Sequence, residues 1–356
     1  KRAKKMRQDG RAEFISASLK ISEGFGKMLE NKEELPMHEP MKLTAPLKDY
    51  LWGGTRLRDE YGKHTELPKV AESWELAYHM DGRSVIANGA AAGQTLADWL
   101  ADAGTDALGT RAAKFPYFPL LIKLIDAHDD LSVQVHPNDD YALRVEGEFG
   151  KTELWYVVDA APGAELLYGF AHEISKEEFA RRIADNTLLD VVRHVPVQKG
   201  DVFFIPAGTL HAIGKGILIC EIQQNSNTTY RIYDYGRVGA DGKPRDLHIE
   251  KALDVTSLAP APAHACGKEV DLFAGARARL LAACDYFTVY HLVVDGGCEF
   301  TVGEDSFQCL TALSGSMQLR SETDELSIEK GESVFLPANL GQCALKGTGE
   351  LILSKV

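Results

Sequence analysis

Residues 200–211 read GDVFFIPAGTLH, and no other stretch says as much about how this chain folds. A glycine opens the segment, four strand-favouring residues follow (Val202, Phe203, Phe204 and Ile205), and Pro206 and Gly208 close it before His211. Glycine and proline at those places punctuate a turn, a short strand and a second turn. The pattern belongs to a short-stranded β domain rather than to a helical one.

The same spacing recurs near the end of the chain. Residues 331–342 read GESVFLPANLGQ: a glycine, five residues, a proline, then five residues to the last position. Read as a repeat, the two segments sit at equivalent places in two similar barrels. Gly–strand–Pro segments are common, so two unrelated segments would also fit. The final positions differ, His211 in the first and Gln342 in the second, and no Gln-x-His strand accompanies the second copy. A second barrel is therefore expected to hold no metal.

Working outward, short β-like runs separated by Gly, Pro and Asp fill the chain from Leu43 onward. They include LLIKLID (120–126), LSVQVH (131–136), ELWYVVD (153–159) and GILICEIQQ (216–224) and, after residue 266, CEFTV (298–302), FQCLTAL (307–313) and SMQLRS (316–321), read as separate short strands with turns between them. Two stretches break the pattern. Residues 95–113 are rich in Ala and Leu, and 175–194 read SKEEFARRIADNTLLDVVRH, with Ser175 and Glu178 spaced as a capping box. Both are expected to be helical insertions. Residues 259–266 (APAPAHAC) form the best linker. The expected organisation is mainly β, with two barrels, which are cupin-type jelly rolls by the resemblance of Gly200, Pro206, Gly208 and His211 to the second motif of that superfamily. An N-terminal extension or tag, helical or flexible, spans 1–40. A catalytic domain with helical insertions spans 41–258, and a smaller β domain without metal spans 267–356.

The chain has 356 residues and a net charge of −13. That charge argues against nucleic acid as a partner. No apolar run approaches the roughly 18 residues of a membrane helix, and no secretory signal opens the sequence. The six cysteines are scattered singly after residue 219, the usage of reduced thiols in a cytoplasmic protein. An acidic chain that binds an anionic substrate needs its own local positive charge.

Gln134 and His136 lie two apart in SVQVH, so on a strand their side chains share a face. Facing inward they would make two metal ligands; facing water they would be the polar side of an ordinary amphipathic strand. Glu153 opens the next strand, with Lys151 on the same parity. His211 completes the pattern G-x5-P-x-G-x2-H, which matches the second motif of the cupin superfamily without its final asparagine.

The runs LIKLIDAHDDLSVQVHPNDDYA, GKTELWYV and GDVFFIPAGTLHAIGKGILICEIQQNSNTTYRIYDYGR, with LKDYLWGGTRL and AESWELA before them, resemble the short bacterial form of the type I mannose-6-phosphate isomerases. The resemblance spans roughly residues 47–253 and is weak beyond. It implies a metal-dependent aldose–ketose isomerase acting on a sugar phosphate through an enediol. It further implies one zinc ion per chain held by Gln134, His136, Glu153 and His211. It places an essential arginine at Arg231, Ser132 and Lys151 against the phosphate, and a glutamate close to the substrate at Glu221. The catalytic residues it implies are thus Arg231, Glu221 and Lys151.

The implied chemistry is coherent. Two imidazoles, an amide and one carboxylate leave a divalent ion with net positive charge, hence a strong Lewis acid. Glu221 is either a proton carrier or a carboxylate paired to Arg231 or Lys151, while Asp234, Tyr235 and Arg237 shape the pocket or form a rim network. Two other readings remain: a cupin that binds sugar without catalysis, and a different metal-dependent cupin enzyme. A mere binder need not keep the whole ligand set with Arg231 and Lys151, and Gln134 in place of a histidine disfavours redox iron.

Overall fold

The computed structural model describes residues 39–239, 242–263 and 267–356. Most of the expected N-terminal extension, part of the linker and Cys266 lie outside them. The chain is mainly β. A five-stranded antiparallel sheet runs in the order Val192–Pro196, Glu165–Phe170, His211–Ile213, Val133–Val135, Tyr230–Tyr233. A six-stranded sheet runs Val202–Ile205, Glu153–Ala160, Ile217–Gln224, Leu120–Ala127, Glu72–Leu76, Leu47–Lys48. Trp155, Phe203, Ile217 and Ile219 of the six-stranded sheet pack with Leu166, Tyr168 and Ile213 of the five-stranded one in a single buried cluster. The strand Leu120–Ala127 is buried along its whole length, which is why it reads as a continuous apolar run instead of an alternation.

A nine-stranded sheet holds most of the C-terminal residues. It contains the long strands Thr288–Val302, Gln308–Arg320 and Gly341–Lys355. The runs CEFTV, FQCLTAL and SMQLRS, which the sequence offers as separate strands, are continuous pieces of the first two. The strand bulges between Ala312 and Ser314, and Gly315 (φ +78°) continues it opposite Gly349 instead of ending it; a Cβ there would come within 2.0 Å of the Thr348 carbonyl oxygen. The N-terminal strand Met41–Thr44 pairs with Ser333–Leu336 in this same sheet, so the start of the chain is stitched to its last β unit.

Both turn–strand–turn segments take the same backbone form. Gly200 and Gly331 have φ of +92° and +87°, the strands Val202–Ile205 and Ser333–Leu336 follow, and Gly208 and Asn339 at equivalent places have φ of +88° and +62°. Asparagine tolerates the left-handed region well enough to stand in for glycine.

The helical insertions are present but shorter than the sequence suggests. The first is Leu96–Ala103, capped by Thr95, followed by two 3₁₀ turns. The second is Lys176–Ala184, whose first turn is closed by the Ser175 hydroxyl accepting the Glu178 N–H at 3.1 Å. It ends at Ala184, Asn186 just beyond turns left-handed (φ +57°), and His194 lies in a strand. Short helices at Arg56–Glu60, Asp139–Val145 and Ile249–Val255 were not apparent from periodicity. No helix among the described residues is long and apolar enough to cross a membrane. Cys220, Cys284, Cys298, Cys309 and Cys343 are free thiols.

Candidate metal centre

Between the five- and six-stranded sheets, potential ligand atoms of His136, Glu153 and His211 lie within 4.8 Å of one another, all three side chains buried. His211 begins a strand directly opposite Gln134. Glu153 begins the neighbouring sheet's strand opposite Ile205. His136 lies one residue beyond the strand Val133–Val135 rather than on it, and the Gly208 N–H donates to its carbonyl at 2.8 Å.

Each imidazole is fixed from behind. His136 Nδ1 lies 2.9 Å from the Thr228 carbonyl and His211 Nδ1 lies 2.8 Å from the Thr209 carbonyl. A carbonyl only accepts, so Nδ1 carries the proton and Nε2 keeps its lone pair, the tautomer a metal needs. His211 Nε2 is 3.2 Å from one Glu153 oxygen, and His136 Nε2 is 3.7 Å from the other. Burial, with the Lys151 ammonium nearby, holds His136 well below the usual histidine range, and burial holds His211 down at about 4. Both imidazoles are therefore neutral near pH 7. Burial pushes the Glu153 carboxyl up, and Lys151 at 2.9 Å only partly counters it.

His136 Nε2 and Glu153 Oε1 are buried without a hydrogen bond, and Glu153 Oε2 has only the Lys151 ammonium beside it at 2.9 Å. Buried acceptors left unpaired are costly. A cation between them would satisfy both, so the donor set fits a metal. Gln134 brings its amide to 3.4 Å from His211 Nε2, and an amide flip presents its oxygen to the same point.

Beside this trio runs a row of buried charges. Glu221 stands opposite Lys123 on one side and Trp155 on the other. Its carboxylate lies 3.0 Å from Lys123 Nζ and 3.9 Å from Lys151 Nζ, and accepts the Trp155 indole N–H at 3.0 Å. Glu72 lies 3.7 Å from the same Lys123 ammonium. Burial alone would raise Glu221, but the Lys123 and Lys151 ammoniums hold it well below the usual carboxylate range. Burial alone would lower Lys123, but Glu221 and Glu72 hold it above the ordinary lysine value.

Arg231 stands opposite Gln134 in the register. Its Nε–H donates to the Ser132 hydroxyl at 3.2 Å and its Nη1 to the Asp246 carbonyl at 3.0 Å. Asp234 pairs instead with Arg237 and Arg245, a rim network in which Arg237 also lies over the Tyr235 ring. A cleft of about 270 Å³ is lined by Ser132, Gln134, Lys151, Glu221 and Arg231, together with Lys123, Arg245 and His248.

Residues 41–152 match the family model described as phosphomannose isomerase type I, catalytic domain, and residues 278–356 match mannose-6-phosphate isomerase, cupin domain. A mannose-6-phosphate isomerase of Streptococcus mutans is 39% identical over 319 residues, which are 89% of this chain and 98% of that protein. The chain belongs to the mannose-6-phosphate isomerase family. A Bacillus subtilis relative named as a probable mannose-6-phosphate isomerase is 40% identical over 319 residues, covering 89% of this chain and 99% of the relative. The crystal structure of a Bacillus subtilis mannose 6-phosphate isomerase superposes with a TM-score of 0.83 at 35% identity, covering 90% of this chain and all of that one.

In this isomerase the structure gathers Gln134, His136, Glu153 and His211, and sets Ser132, Lys151, Glu221 and Arg231 on the adjoining cleft. Glu221 is paired to Lys123 first and Lys151 second, not to Arg231. Sequence reasoning missed Lys123 and Glu72. The available signal was a lysine in the middle of LLIKLID: a charge in a strand with no exposed face must have a buried partner.

The second turn–strand–turn unit ends in Gln342, and His136, Glu153 and His211 are the only such ligand group among the described residues. One equivalent of metal per chain is therefore expected. An anomalous diffraction peak beside Gln342 would refute this.

Proposed function

We propose that this chain interconverts mannose 6-phosphate and fructose 6-phosphate through an enediol, with Gln134, His136, Glu153 and His211 holding one zinc ion. The observation that carries the reading is the buried cluster of ligand atoms on His136, Glu153 and His211, in which His136 Nε2 and Glu153 Oε1 have no hydrogen bond. Through Gln134 and Lys151 it adjoins a cationic cleft in an otherwise acidic chain. When bound, the ion would supply Lewis acidity toward a sugar carbonyl or hydroxyl.

The chain's own residues supply the rest. The open-chain sugar loses its C2 proton and regains one at C1, and an oxyanion develops between the two events. Arg231, held in place by Ser132 and the Asp246 carbonyl, offers a permanent guanidinium to that oxyanion. Lys151, between Glu153 and Glu221, holds sugar or phosphate oxygens. Glu221 is ionised but weakly basic. Its contribution, as one member of the Lys123–Glu221–Lys151 row, is a fixed field across the cleft.

The finer architecture proposed is two cupin-type jelly-roll barrels, a catalytic one over 41–258 and a metal-free one over 267–356, with the strand Met41–Thr44 lent to the second. A cytoplasmic location fits the free thiols; the net charge of −13 disfavours nucleic acid as a partner, and the cationic cleft fits a small sugar phosphate.

A coupled isomerase assay with mannose 6-phosphate, before and after chelation, tests the reading. Turnover that disappears with the metal and returns on reloading is expected. Sugar phosphate bound without turnover by the metal-loaded protein would favour a sugar-binding cupin instead. Unphosphorylated mannose should be a poor substrate, because Ser132 and Lys151 would lose charge-assisted hydrogen bonds worth about 1.5–3 kcal/mol each. Two such contacts correspond to a kcat/KM lower by at least about 10²-fold. Equal turnover of free mannose would contradict the pocket assignment.

A further inference from the structure

The C-terminal β unit contributes no ligand to the centre described above, yet the tip of one of its hairpins reaches the segment that carries two of them. The strands Ala276–Ala283 and Thr288–Val302 pair antiparallel, and the chain reverses between them with the Cys284 N–H donating to the Phe287 carbonyl at 2.9 Å. From this turn the Tyr286 hydroxyl donates to Asp139 Oδ2 at 3.1 Å.

Asp139 is a junction. Its Oδ1 accepts the Gly150 N–H at 2.8 Å and the Gln224 side-chain N–H at 3.0 Å. Gln224 Oε1 accepts the Thr152 N–H at 2.8 Å, and the Gln224 backbone N–H donates to the Thr152 carbonyl at 3.1 Å. Thr152 sits between Lys151 and Glu153. On the other side, Asp139 follows His136 by three residues, and the Pro137 carbonyl accepts the Lys151 N–H at 3.0 Å. A Cβ on Gly150 would come within 2.4 Å of the Asn138 carbonyl carbon and 2.5 Å of the Asp139 nitrogen, so the two backbones touch there. One carboxylate thus clamps the His136 segment to the Glu153 segment, and one hydroxyl from the other β unit orients that carboxylate. Burial and the Asp139 charge push the Tyr286 phenol up to about 12, so it remains a donor at working pH.

We infer that Tyr286 is a positioning residue for the metal centre, setting the spacing of His136 and Glu153 through Asp139. The inference rests on the ligand assignment proposed above. It gives the metal-free β unit a part in catalysis: it holds the ligand geometry of its neighbour.

The test is the rate at which bound divalent metal passes from the full chain to a chromogenic chelator. Tyr286→Phe removes only the hydroxyl. It is expected to speed release about 3–10-fold, less than the 10–100-fold typical of a group that touches a ligand directly. Lys114→Met is the control, because Lys114 donates to the Asp285 carbonyl in the same turn without touching Asp139; it should release metal at the wild-type rate. Asp139→Ala should release metal faster than Tyr286→Phe, and adding Tyr286→Phe to it should change nothing further. Wild-type release from Tyr286→Phe overturns the inference. So does equal acceleration by Lys114→Met, or independent effects in the double variant. If Asp139→Ala fails to fold, the comparison of Tyr286→Phe with Lys114→Met decides alone. Metal retained in full by His211→Ala would overturn the ligand assignment, and this inference with it.

Discussion

His211→Ala is expected to lose bound metal and to reduce turnover by more than about 10³-fold. The argument begins with what the imidazole leaves behind. His211 is fully buried, with Nε2 aimed at Glu153 and its other nitrogen tied to the Thr209 carbonyl. In the proposed ligand set, an ion without it would keep one imidazole, one carboxylate and an amide, and an amide oxygen is a weak ligand. Removing a single preorganised donor from an active site typically costs about 10²–10³ in turnover; losing the ion removes the strongest electrophile altogether. Glu153→Ala should do the same by withdrawing the one anionic ligand, and His136→Ala by opening the other side. Elemental analysis of the purified variants checks this directly, alongside the coupled assay. Full metal occupancy in His211→Ala would sink the ligand assignment whatever the assay reads.

Legibility of the fold followed the range of the interaction that made each feature. The segment 200–211 could be read because Gly200, Pro206 and Gly208 act on their own torsions, and its copy at 331–342 takes the same left-handed turns. The Ser175 cap was likewise local. Gln134 and His136 announced themselves by spacing, although His136 proved to sit just past the strand, held by Thr228 and Gly208 from elsewhere in the chain. Lys123 stayed hidden because its meaning depends on Glu221 and Glu72 in neighbouring strands, and an isolated charge in an apolar run carries no pointer to them. The pairing of Met41–Thr44 with Ser333–Leu336 was invisible for the same reason, since nothing local names a partner nearly the whole chain away. Gly315 misled because glycine serves equally in a turn that ends a strand and beside a bulge, here at Leu313, where the strand continues. The helix Asp139–Val145 was readable from Asn138 followed by two aspartates, an N-cap with acidic residues in its first turn. The adjoining His136 drew the reading toward metal ligation instead.

Arg231→Ala and Arg231→Lys are expected to lower kcat by about 10²–10³ while changing KM modestly and leaving the metal in place. The guanidinium is oriented before substrate arrives: Nε donates to Ser132, Nη1 to the Asp246 carbonyl, and its strand position is opposite Gln134. The neighbouring Arg237 and Arg245 share the single Asp234 carboxylate, whereas the partners of Arg231 are a hydroxyl and a carbonyl, so its full charge remains available to the cleft. A charge fixed beside the reacting carbons contributes most when negative charge develops there, which is in the transition state. Lysine keeps the charge but cannot hold the planar fork against Ser132 and Asp246 together, so Arg231→Lys should recover little. The competing role is a ground-state contact to the phosphate, whose loss raises KM and leaves kcat nearly unchanged. Steady-state kinetics on both variants, with metal content measured in parallel, separates the two. A KM-only effect would assign Arg231 to the phosphate, and the bound ion with the Lys123–Glu221–Lys151 row would then have to stabilise the enediolate without it.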